Sequence, residues 1–190
     1  MTDLLKFKAL DKSEIDTTKS SAGSAQRDGA NRRFAKNPSK VGDVLKEQGD
    51  VAAALTSFSA ALTIIERMAT ADPNNAGWQY DLSASYVWVG NVLVAQVNLA
   101  AALNRFTASF AIAERLAKAD PHNAGWQRHL AISYADFADL HRRAGEHNRA
   151  LDALRDGRAI MQQVVSRSPD DAKWKEDLTW FDAQIAGPGK

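Results

Sequence analysis

The chain has 190 residues, a formal charge of +1 and no cysteine, which excludes disulfides and thiolate metal sites. Its 24 basic and 23 acidic residues are close to balance, so no basic stripe points to a nucleic acid. Residues 86–103 are apolar, but Asn91, Gln96 and Asn98 interrupt them, and a membrane span needs roughly 20 apolar residues in a row. No membrane association is therefore expected. Met1-Thr2-Asp3-Leu4-Leu5-Lys6 carries an acid early and has no long apolar run. It does not read as a secretory signal, and the expected location is cytoplasmic.

Residues 1–37 differ from the rest. Thr17-Thr18-Lys19-Ser20-Ser21-Ala22-Gly23-Ser24 is small, polar and without period, the composition of a flexible segment. Leu4, Phe7 and Leu10 leave open a short helix with one apolar face. Order is expected from Asn37-Pro38-Ser39 onward, because Pro is tolerated in a first helical turn and hostile later. Val41, Val44 and Leu45 share one face of a helix over residues 39–48, which Gly49-Asp50 ends. A second helix, 51–70, places Leu55, Phe58, Leu62, Ile65 and Ala69 at three- and four-residue spacings. Asp72-Pro73 stops it, since the residue before Pro is pushed out of helical geometry.

Further helices follow over 76–96, 99–119, 124–144, 147–167 and 172–186, with Asn75, Asn123 and Asp171 as N-caps. The last helix has no partner after it. Lys173, Lys175, Glu176, Asp182 and Gln184 suit it to face water as a cap. Residues 187–190 form the tail, and the helical region is expected to be one domain over 38–186.

The pattern is a tandem repeat. Asp72-Pro73-Asn74-Asn75-Ala76-Gly77-Trp78-Gln79 returns as Asp120-Pro121-His122-Asn123-Ala124-Gly125-Trp126-Gln127, an offset of 48 (120 − 72). A worn third copy keeps Pro169, Asp171, Ala172, Trp174 and Leu178. A fixed period of this size means stacked supersecondary units.

The spacing of small and aromatic positions resembles the tetratricopeptide (TPR) repeat family. The second unit reads Tyr86, Val89, Gly90, Leu93, Ala102, Phe106 and Pro121. The first reads Pro38, Val41, Gly42, Leu45, Ala54, Phe58 and Pro73, and the third Tyr134, Phe137, Ala138, His141, Ala150, Leu154 and Pro169. The resemblance implies an all-α fold, an α-solenoid of stacked antiparallel helix pairs with about three repeats and a C-terminal capping helix. The small residue lets two helices approach, and the aromatic fills the space beside it. The family period is about 34 residues, so each of these units carries about 14 more. They divide into seven between Pro73 and Gly90 and seven between Phe106 and Pro121. Seven residues are close to two helical turns, so each helix is expected to be two turns longer on the same face. Trp78, Trp126 and Trp174 lie in the added piece, where recurrence with Leu82, Leu130 and Leu178 favours core packing over binding. Three positions depart from the pattern. Ala30 stands where the first unit would have its Trp, His141 replaces a large apolar residue, and Val97 replaces the turn Gly, leaving Asn98 to take the left-handed geometry.

Catalytic chemistry is not legible. His122, His129, His141 and His147 form no i, i+4 metal pair and read as surface or interface residues. No Ser, His and carboxylate set and no Gly-rich phosphate loop stands out. Glu66 and Glu114, each followed by Arg, suggest helix-surface ion pairs. No cofactor, metal or enzymatic activity is expected.

The family binds partners on the concave side, lined by the first helix of each unit. The resemblance places Ser39, Asp43, Lys46 and Glu47 there from the first unit, and Tyr80, Ala84, Val87, Asn91, Val94 and Ala95 from the second. The third contributes Arg128, Ile132, Ala135, Asp139, Arg142 and Arg143. Val87 and Val94 are exposed there, or buried by curvature or by residues 1–37. The family's terminal-carboxylate clamp has no counterpart at Ser39, Asp43, Trp88, Ile132 and Asp136. The expected function is a non-catalytic interaction module that holds a peptide or protein segment. The alternatives are a self-associating scaffold, with a homo-oligomer, and the repeat part of a larger signalling protein.

Overall fold

The computed structural model describes residues 42–43 and 45–187. The expectations for residues 1–37, for the start of the first helix at Ser39 and for the last three residues of the tail lie outside these. Residues 42–43 and 45–47 are helical. Six further helices follow: α1 (Val51–Ala71), α2 (Ala76–Ala95), α3 (Leu99–Ala119), α4 (Ala124–Arg143), α5 (His147–Arg167) and α6 (Ala172–Ala186). No strand occurs among the described residues, and α1 packs on α2, α4 on α5 and α5 on α6. This is the all-α arrangement of consecutive helix pairs. The chain divides within α3 into two compact units, which are distinct from the sequence repeats: the first unit ends at Ile112 and the second begins at Ala113.

The helix starts repeat atom for atom. Asn75 Oδ1 accepts from Trp78 N at 3.1 Å, Asn123 Oδ1 from Trp126 N at 3.0 Å, and Asp171 Oδ1 from Trp174 N at 3.1 Å. Each cap satisfies an amide that the helix cannot, worth about 1 kcal/mol. Asp50 and Asn98 cap α1 and α3 in the same way, through Ala53 N and Ala101 N. Glu146, before α5, makes no side-chain cap and turns to His141 instead, at 2.6 Å from Nδ1.

The helix ends repeat as well. The amides of Asp50, Asn98 and Glu146 reach back to the carbonyls of Leu45, Leu93 and His141, and those of Gly49, Val97 and Gly145 to Lys46, Val94 and Arg142. This double bond pattern ends a helix on a left-handed residue. Gly49 and Gly145 take it at φ 83° and 77°, and Val97 takes it itself at φ 61°. The expectation that Asn98 would adopt that geometry is corrected. Asn98 is occupied as the cap of α3, and the two backbone bonds hold Val97 in place despite its β-branch.

In the first unit, Phe58, Leu62, Ile65 and Ala69 of α1 are buried. A fully buried large apolar side chain contributes about 1.5–3 kcal/mol. Trp78 packs with Ile65 and Ala69, so the start of α2 meets the end of α1. Gln79 reinforces the match by donating to the carbonyl of Ala69 at 3.2 Å. Ser83 and Ser109 meet at 2.8 Å where α2 crosses α3. A Cβ on Gly90 would lie 2.5 Å from the Phe106 ring, which is why no larger residue fits there.

In the second unit the same crossing is solved differently. Ala138 stands in the glycine position, and Leu154 replaces the phenylalanine; both are buried in one cluster with Trp174 and Phe181. The methyl gained on one side is matched by the volume lost on the other. Gln127 donates to the carbonyl of Ala117 at 3.0 Å, as its counterpart does in the first unit. Gly157 lies against Phe181 of α6, where a Cβ would stand 2.6 Å from the ring. On α6 the positions equivalent to Gln79, Ser83 and Tyr86 are Lys175, Thr179 and Asp182, all exposed. Ser83 and Tyr86 face α3 from α2, whereas their counterparts on α6 are open to water.

α1, and not the stretch 86–103, has the length and mean hydropathy (1.3) to cross a bilayer among the described residues. In this structure it is the packing partner of α2.

Candidate interaction surfaces in the two units

In the first unit, α2 carries buried residues in several directions. Trp78 faces α1, and Ser83, Tyr86 and Gly90 face α3, with Arg105 over the Tyr86 ring at 5.8 Å. Val87 is nine residues from Trp78, hence about half a turn round the helix at 3.6 residues per turn. Val87 and Asn91, one turn apart, are half-buried on that side, and Ala84 likewise. Asp43 and Glu47 are exposed and Lys46 is half-buried. Ser39 lies outside the described residues.

Tyr80 and Val94, expected on the same open surface, are 5% and 6% exposed and belong to the core. Ala95 is exposed but ends the helix. Spacing alone could not separate these positions from Val87. The apolar side chains of α2 are spread round the helix, so no single stripe marks the inside.

In the second unit, Ile132 and Ala135 are 3% and 0% exposed and join the core cluster, which corrects their place on an open surface. Arg128 is also internal. Its Nε donates to Asp177 Oδ2 at 2.5 Å and its Nη2 to Oδ1 at 3.3 Å. Asp139 remains partly exposed and holds Arg143 at 3.0 Å and Arg142 at 3.8 Å. Arg142 also donates to Gln184 of α6 at 3.0 Å. Asp139 and Arg142 therefore form a charged edge of α4 whose geometry is fixed by α6.

Buried polar groups stand where the sequence showed none. His129, read as a surface or interface residue, is 2% exposed. Burial, and then the Arg128 cation beside it, lower its pKa to about 4, so the ring is neutral at pH 7. Asp136 is 1% exposed, and Asp177 is held above the usual carboxylate range by burial, against the pull of Arg128. The sequence carries no pairing signal for Arg128 and Asp177, because they stand 49 residues apart on helices joined through a third. Glu66, expected in a surface ion pair, accepts from the Tyr86 hydroxyl at 3.2 Å. Glu114 pairs with Lys118 at 2.8 Å. Trp88, one of the positions compared with the carboxylate clamp, stacks at a tilt 6.0 Å from Phe58.

No group of three or more His, Asp or Glu placed to hold a metal occurs among the described residues. No family model matches the sequence, and no curated protein matches it. Among solved structures, the chain is similar to a thermophilic TPR protein of Thermus thermophilus, at 18% identity and a TM-score of 0.44. The similarity covers 80% of this chain and 66% of that one, so the chain spans just under two thirds of that protein's length.

Proposed function

We propose that this chain is a non-catalytic, cytoplasmic protein-interaction domain that binds a peptide or protein segment through the outward faces of its first helices. The observation that carries the reading is the half-open pair Val87 and Asn91 on α2, on the side away from α1. An apolar side chain with a polar one a turn away offers contact area beside a polar rim to an extended or helical segment. In the second unit Asp139 and Arg142 offer charge in a geometry set by α6, suited to orienting a partner rather than supplying its affinity.

The ion pairs of the described residues support a structural use of charge. Arg128 with Asp177 and Arg158 with Asp182 tie α6 to the helices before it. Arg143 with Asp139, and Arg155 with Asp152, brace single helices.

The test is a Val87→Glu variant of the full chain. Proteins captured from a lysate of the native source are identified with the parent, and their affinities are measured with parent and variant. The variant is expected to keep its helical circular dichroism and to bind at least about tenfold more weakly, as for a central contact. Arg155→Glu, on the exposed side of α5, serves as the control and should bind as the parent does. Equal binding by parent and Val87→Glu sinks the reading. Light scattering of the parent separates it from self-association: a concentration-dependent dimer that Val87→Glu dissociates favours the scaffold alternative.

A further inference from the structure

We draw no further inference here: the strongest candidate, the apolar knob made by the exposed Val97 at positive φ in the turn between α2 and α3 with the exposed Leu103 one turn into α3, carries nothing because nothing in the structure shows what covers it.

Discussion

Arg128 and Asp177 form a two-pronged ion pair that is almost wholly out of water, at 3% and 4% exposure, and it joins α4 to α6. Taking two charges out of water is costly, and the attraction offsets that cost only while both partners are present. Arg128→Met should therefore destabilise the chain by about 3–5 kcal/mol, because it leaves the Asp177 carboxylate buried without its cation. Arg128→Met combined with Asp177→Leu should recover most of the loss. Urea denaturation of the two variants checks this, and a single variant within about 1 kcal/mol of the parent would refute the role of the pair.

Gly157 makes room for Phe181. Alanine is the better helix former by about 1 kcal/mol, so exposed glycines in helices usually gain from the change. Here the new Cβ would sit 2.6 Å from the Phe181 ring and 3.1 Å from the Ala131 carbonyl. Phe181 is fully buried and cannot swing aside. Overpacking of this kind costs about 1–3 kcal/mol, so the clash should win and Gly157→Ala should lower the melting temperature. Adding Phe181→Leu should return part of the loss, as the Ala138 and Leu154 pairing does one crossing earlier. A rise in melting temperature for Gly157→Ala alone would contradict the packing.

Val97 carries backbone strain that its repeats avoid. Its φ is 61° where Gly49 and Gly145 sit at 83° and 77°. The left-handed conformation costs an L-residue about 1–2 kcal/mol, and glycine's extra unfolded freedom costs about 0.5–1. At 79% exposure the valine side chain loses little packing when removed. Val97→Gly is expected to stabilise by up to about 1 kcal/mol, and Val97→Asn by a similar amount. Calorimetry reads the shift; a clear loss of stability in both variants would mean that the valine methyl groups contribute to the fold.

His129 links stability to pH. Its folded pKa of about 4 lies below the ordinary value of 6.5, so below pH 6.5 the unfolded chain takes up a proton that the folded chain refuses. Stability contributed by the neutral ring is thus full above pH 6.5 and is lost as pH falls toward 4. The difference between the two states corresponds to a loss on the order of 3 kcal/mol by pH 4. His129→Gln should be less stable at pH 7 but should lose much less between pH 6.5 and 5. Parallel denaturant curves for parent and variant across that window would contradict the assignment.

The helices, their caps and their order were legible in the chain because each signal is local. Asn75, Asn123 and Asp171 cap through side chains that reach three residues along the backbone. Trp78 and Gln79 recur as Trp126 and Gln127, and both pairs take the same places, the tryptophan in the core and the glutamine on a carbonyl of the preceding helix. The left-handed turn was also implied beside position 97, but the β-branch of Val97 pointed to Asn98 as its bearer. Val97 bears it because the backbone bonds to Leu93 and Val94 outweigh the strain of one β-branched residue. Tertiary structure alone decided which first-helix positions are open. Val87 and Val94 are equally apolar and share a face by spacing, yet one is half-open and the other core. Burial at such positions depends on the neighbours that surround the helix, which helical spacing does not encode. The same holds for Arg128, His129 and Asp177: each is a polar letter in the sequence, and only packing makes a buried ion pair and a neutral imidazole of them.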